Sequence, residues 1–139
     1  MGFDFYRRDN LGDPPSYDDD RYFRSNVHAY PVLFHTMRAI GVLDESMRER
    51  QLDGAEWEAF RSVRSPDATL VPAFKLSSNS GYIIVPDECR LIAAALMQVA
   101  RDTREKLTVT PEEEGPLDFV ERFARFNQTA ADHGGYEVW

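Results

Sequence analysis

Residues 74–88 read FKLSSNSGYIIVPDE, and this stretch carries strand, turn and helix signals one after another. The apolar residues in Phe74–Ser77 and in residues 82–85 are typical of strands, and the serine, asparagine and glycine residues between them are typical of a turn. The pattern predicts an antiparallel β-hairpin, with positive φ at Asn79 or Gly81. The N-terminal or C-terminal strand is expected to extend this hairpin into a sheet.

A helix is predicted directly after this hairpin. Pro86 suits a first helical position, and Asp87 and Glu88 place negative charge near the positive end of the helix dipole. An apolar stripe then continues at helical spacing, so we expect a helix as far as about Lys106. The stripe consists of Ile92, Leu96 and Val99.

Further strands and helices are expected on both sides of this central stretch. Residues 2–6 and 136–139 alternate in polarity, as half-buried strands do, and residues 22–26 are also expected to be extended. Helices are predicted to begin near Pro31, with an apolar stripe that ends before a glycine, and near Asp53, a typical N-cap residue.

The start of the last helix has two interpretations. Thr110 and Pro111, followed by glutamates, resemble a capped helix start, but Gly115 and Pro116 follow after only one turn. We therefore expect the helix to begin at Pro116. Its apolar face is the clearest in the sequence and consists of Phe119, Phe123, Phe126 and Ala130.

These elements predict an α+β fold. A chain of 139 residues with 42% hydrophobic residues fits one domain, residues 1–139, with a core that needs no disulfide or metal. We expect about three to four helices packed on a small, mostly antiparallel sheet.

The net charge of −8 argues against direct binding of nucleic acid, because phosphate backbones repel an acidic surface. The densest acidic runs, residues 18–20 and 112–114, are expected to be solvated loops; a surface that imitates nucleic acid is the alternative. The single cysteine, Cys89, excludes an internal disulfide, and no signal-peptide or membrane-spanning pattern is present. The sequence therefore predicts a soluble cytoplasmic protein.

Recognition-type residues are densest in residues 21–26. Arginine and tyrosine offer directional hydrogen bonds and large contact areas. The alternative is that these arginines pair with the acidic residues just before them. The candidate binding residues in this segment are Arg21, Tyr22, Arg24 and Asn26.

A second group of candidate binding residues consists of His28, Ser78 and Asn79. The backbone N–H groups of the serine-rich loop that ends at Gly81 could bind an anion, although the loop lacks the lysine and the glycine spacing of a P-loop. A hairpin turn explains the same loop residues. If the two segments converge, Arg24 and His28 would complete a pocket for an anion or a nucleotide.

Metal and catalytic sites are not expected. His28 and His35 would lie about 10 Å apart on one helix, too far to share a metal ion. His133 fits the C-terminal end of a helix as a capping residue. Cys89 is expected to be buried filler, although a helix dipole can lower the pKa of a thiol. We therefore expect no metal and no cofactor.

Three patches of the sequence carry a family resemblance. They read YFRxN from Tyr22, KxSSNxGY from Lys75 with VPxE after it, and HGGYEVW from His133. Together they resemble a family of small actinobacterial and phage proteins to which no activity is assigned. The resemblance implies a phage or mobile-element context and brings no cofactor or catalytic residue.

Two classes of function stay open. The first is a noncatalytic modulator that docks on another protein through an acidic face or through residues 21–26. The second is a small enzyme or ligand-binding protein with a pocket near Arg24, His28 and Ser78. The first is favoured, because no base and nucleophile occur at a recognisable spacing. Assembly into a homo-oligomer is a further possibility for either class.

Overall fold

The computed structural model describes residues 2–9, 21–26, 28–106 and 111–139. The predicted α+β class is confirmed, with helices packed on a mostly antiparallel sheet; the described part contains five helices, of which two are short. The elements are β1 (Gly2–Arg7), β2 (Tyr22–Asn26), α1 (Tyr30–Ala39), β3 (Leu43–Asp44), α2 (Gly54–Phe60), β4 (Val71–Pro72), α3 (Phe74–Ser77), β5 (Tyr82–Ile84), α4 (Pro86–Lys106), α5 (Pro111–Ala130) and β6 (Tyr136–Val138).

The main sheet has the strand order β2-β1-β6-β5, and all its neighbours are antiparallel. Strand β6 pairs with β1 on one side, where Phe5 faces Val138, and with β5 on the other, where Tyr82 faces the same valine. The strands expected at the two ends of the sequence are therefore confirmed, and they are adjacent in the sheet. A separate two-residue parallel pair joins β3 and β4.

The helices α1, α4 and α5 cover one face of this sheet, because alternate residues of each strand are apolar and point the same way. The central side chains of this core are all 0% exposed. They are Phe5, Leu33, Met37, Ile84, Ile92, Leu96, Phe123, Tyr136 and Val138.

The predicted hairpin is wrong in its first strand. Phe74–Ser77 forms the short helix α3, and β5 pairs with β6 instead. A strand would point Lys75 away from the side of Phe74 and Leu76, but all three side chains are buried. The helical turn lets the lysine amine reach a buried carboxylate, described below. Gly81 does have positive φ, 95°, as expected.

The predicted helices begin where the structure has them, except for α5. Helix α4 spans the expected residues, whereas α5 begins at Pro111 and contains Pro116. Arg104 on α4 bonds Glu114 at 3.1 Å and Glu121 at 2.7 Å, so two positions of α5 are tied to α4. Pro116 removes one backbone hydrogen bond inside α5.

Of the two acidic runs expected to be loops, the structure describes only one. Residues 112–114 belong to α5 and not to a loop. Residues 18–20 lie outside the described residues, so their predicted loop stays a prediction. No helix in the described part of the chain is both long and apolar enough to cross a membrane.

Candidate functional site

The face of the main sheet opposite the helices carries a mixed group of aromatic and charged side chains, which we call the outer face. Strand register places these residues on one side, since directly paired residues point the same way. The strand residues of the outer face are Asp4, Tyr6, Tyr22, Arg24, Ile83 and Glu137, and Trp139 follows on the same side.

At the β1–β2 end of the outer face, two tyrosines and an ion pair lie together. The rings of Tyr6 and Tyr22 have centroids 5.2 Å apart. The Tyr22 hydroxyl donates a hydrogen bond to Asp4 Oδ1, and Arg24 Nε lies 3.9 Å from the same oxygen. Partial burial, together with the carboxylate of Asp4, raises the pKa of Tyr22 well above its usual value. Tyr22 is therefore a neutral donor at physiological pH.

At the other end of the outer face, the Glu137 carboxylate accepts hydrogen bonds from three side chains. It accepts from Arg61 Nη2 at 2.7 Å, from Arg8 Nη1 at 3.1 Å and from the indole N–H of Trp139 at 3.2 Å. The Trp139 ring lies over Gly81, where a Cβ atom would come within 2.6 Å of it. Trp139 nevertheless stays 44% exposed, so its position is fixed while part of its surface is open.

The chemistry of the outer face suits contact with another molecule. Tyrosine, tryptophan and arginine are the residue types that most often dominate binding energy at protein interfaces. Here these types occur on one face, and their polar atoms are already hydrogen-bonded to neighbours on that face. A partner would therefore meet a preorganised surface.

The segment 21–26 contains two side chains of the outer face and two residues that hold the backbone in place. Tyr22 and Arg24 belong to the outer face, as described above. Asn26 Oδ1 accepts hydrogen bonds from the backbone N–H groups of His28 at 2.9 Å and of Ala29 at 2.7 Å, so it fixes the chain at the entry to α1. The Arg21 carbonyl extends the β1–β2 ladder by accepting from Arg7 N at 2.8 Å.

The second group of predicted binding residues is split between the two edges of the sheet. Ser78 and Asn79 precede β5, one edge strand, whereas Arg24 is on β2, the other. Two strands lie between them, and strand spacing of roughly 4.8 Å separates the edges by about 14 Å. His28 is exposed and follows β2. Arg24 and Ser78 are therefore too far apart to line one cleft, and the predicted pocket of Arg24, His28 and Ser78 does not form.

The surroundings of Ser78 are acidic. Its hydroxyl donates to Glu49 Oε1 at 3.2 Å and lies 2.7 Å from the Ser80 hydroxyl. Tyr82 donates to the same glutamate oxygen at 2.8 Å. A negatively charged ligand would be repelled by this carboxylate, so the anion-binding interpretation of the loop loses support.

An open cavity of about 740 Å³ lies beside this loop. The sequence reasoning missed it because its walls come from three segments that are distant from one another in the chain. The only local signal was an Asp–Trp pair at the start of α2. Its lining residues are Glu49, Arg50, Gln51, Leu52, Asp53, Trp57, Ser80 and Tyr82.

A buried ion pair beneath β5 was also missed. Lys75 Nζ lies 2.6 Å from Glu88 Oε1, and both side chains are 0% exposed. The amine also donates to the Val63 carbonyl, and the carboxylate accepts from the Val85 N–H. Burial lowers the pKa of Lys75 and raises that of Glu88, while their mutual attraction opposes both shifts.

This ion pair is not open to a substrate, and neither is the neighbouring thiol. Burial raises the pKa of Cys89 to about 12, which outweighs any effect of the helix dipole. The thiol is fully buried and lies 3.7 Å from the Ile84 carbonyl. The predicted burial of Cys89 is confirmed.

Histidine and carboxylate side chains are the candidate ligands for a metal ion in this chain. His133 Nδ1 lies 2.9 Å from the Thr129 carbonyl, at the end of α5 where capping was predicted. Within residues 2–9, 21–26, 28–106 and 111–139, no three His, Cys, Asp or Glu side chains form a group able to hold a metal ion.

Comparisons of the chain with protein-family models, curated proteins and solved structures gave no match.

Proposed function

We propose that this protein is a noncatalytic modulator that binds another protein through the outer face. The observation behind the proposal is the arrangement of Tyr22, Arg24 and Trp139 on the side of the sheet opposite α1, α4 and α5, with their polar atoms held by Asp4 and Glu137. A phage or mobile-element origin stays part of the proposal.

Charge indicates the chemistry of the partner. Three arginines on or beside the outer face, Arg8, Arg24 and Arg61, pair with three carboxylates, in a chain whose net charge is −8. This face is therefore the less acidic part of an acidic molecule. It suits a partner surface that presents carboxylates and apolar groups, while the remaining acidic surface repels wrong orientations.

Capture from a host lysate with matched variants tests the proposal. Arg24→Ala removes an arginine that is 46% exposed on the outer face, and Arg125→Ala removes one that is 61% exposed on α5. A protein retained by wild type and by Arg125→Ala, but lost with Arg24→Ala, would support the proposal. We then expect Arg24→Ala to raise the dissociation rate about tenfold or more.

Two other results would contradict the proposal. Equal retention by all three baits would reject the outer face as the binding surface. Turnover of a small molecule that is lost in His28→Ala or Ser78→Ala, with the fold unchanged by circular dichroism, would instead support an enzyme. Each of these residues is at least partly exposed, so its replacement should leave the core intact.

A further inference from the structure

We propose that the cavity beside α2 binds the guanidinium group of an arginine side chain. The cavity lies between residues 49–53, α2 and the start of β5, and its volume of about 740 Å³ holds more than this group alone. It does not include any residue of the outer face, so the proposal does not depend on the proposed function.

An aromatic wall gives the cavity its first binding element. Trp57 is half-buried and stands edge-on to Tyr82, with ring centroids 5.1 Å apart and an interplanar angle of 67°. Phe74 packs on the other side of Tyr82 at 5.1 Å, so the wall is supported from the core. A cation placed over an indole ring is attracted by the negative potential of the ring face.

Two carboxylates supply the second element. Glu49 Oε1 is fixed by Tyr82 and Ser78, whereas its Oε2 makes no hydrogen bond in the described part of the chain. Asp53 is the N-cap residue of α2, yet its side chain makes no capping hydrogen bond. An aspartate at this position ordinarily bonds the first helical N–H groups. Both carboxylates are therefore available to a donor in the cavity.

The combination of an aromatic wall and two carboxylates favours guanidinium over other cations. A guanidinium group is planar, so it can stack on an indole while its N–H groups reach two carboxylates. The lining charges, Glu49 and Asp53 against Arg50, sum to −1, which disfavours an anionic ligand. Arg50 makes no ion pair or hydrogen bond in the described residues. Its own guanidinium group would compete with the ligand for the carboxylates of the cavity.

Tryptophan fluorescence provides a direct test. The chain has two tryptophans, so Trp139→Phe leaves Trp57 as the only reporter. N-acetyl-L-arginine amide is the probe, and N-acetyl-L-citrulline amide is its uncharged counterpart of the same shape. We expect saturable quenching by the arginine compound, with a millimolar Kd, and none by the citrulline compound at the same concentrations.

Variants then assign the binding to the cavity. Glu49→Gln with Asp53→Asn should raise the Kd about tenfold or more. The control, Glu105→Gln with Asp132→Asn, removes the same charge at two exposed sites and should leave the Kd within about twofold. Arg50→Ala should lower the Kd, because it removes the competing guanidinium. Tyr22→Ala on the outer face should change nothing.

Several outcomes would overturn the inference. Equal quenching by the citrulline compound would show that charge is not recognised. Equal affinity for N-acetyl-L-lysine amide would reject a guanidinium-specific site. A control double variant that weakens binding as much as Glu49→Gln with Asp53→Asn would show only general attraction to an acidic protein. None of these results would bear on the outer face.

Discussion

The two faces of the main sheet use the same strands in opposite ways. On the inner face, Phe5 contacts the rings of Phe23, Tyr30, Phe123 and Tyr136 at centroid distances of 5.2 to 6.0 Å, in a core closed by helices. On the outer face, the side chains bond to one another and stay partly exposed. The inner face thus supplies the described core, whereas the outer-face side chains keep part of their surface exposed.

The largest expected effect tests this division directly. Phe5→Ala should lower the free energy of unfolding by about 3–5 kcal/mol, because it leaves a cavity among four aromatic rings. Tyr6→Ala, one residue away on the outer face, should cost about 1 kcal/mol or less. Urea unfolding followed by circular dichroism measures both. Equal losses would show that the outer face also belongs to the core.

The buried ion pair of Lys75 and Glu88 extends the comparison of the two faces, because it places two charges in the interior. Lys75→Met should lower the free energy of unfolding by about 3 kcal/mol, since the buried Glu88 carboxylate keeps only Arg64 Nε, at 3.9 Å, as a charged partner. The double variant Lys75→Met with Glu88→Leu removes both charges and should recover most of that loss. If the double variant is no more stable than Lys75→Met, the unpaired carboxylate is not the cause of the loss.

The smallest expected effect concerns the ion pair on the outer face. Arg24→Ala should change the free energy of unfolding by less than about 1 kcal/mol, because Arg24 is 46% exposed and lies 3.9 Å from Asp4. The difference from wild type should disappear at 1 M salt, which screens exposed charges. A loss that persists in salt would indicate a packing role for Arg24 and weaken the distinction between the faces.

The strands and the long helix were predictable because their signals are local. Alternating polarity located β1 and β6, and Pro86 with the apolar stripe after it located α4. The error at Phe74–Ser77 has a physical cause. Short apolar runs fit either a strand or a buried helical turn, and here the choice depends on Lys75 reaching Glu88 on a later element. Such a contact is invisible in the local sequence.

The candidate site was predictable only in part. The density of arginine and tyrosine pointed to Tyr22 and Arg24, which do share the outer face. A pocket shared by Arg24 and Ser78 could not be tested without the strand order, which places the two residues at opposite edges of the sheet. The cavity beside Trp57 depends in the same way on how distant segments pack, so no spacing in the sequence indicates it.

The position of β6 between β1 and β5 has a consequence for the order of assembly. Phe5 pairs with Val138, so the centre of the sheet joins residues from opposite ends of the sequence. During synthesis, β1 and β2 leave the ribosome early but must wait for residues 136–138 before the four strands can close. Contacts this distant in sequence slow folding, because a long loop must be ordered first. Until then, the edges of β1 and β5 that β6 covers are exposed to chaperones and to other nascent chains.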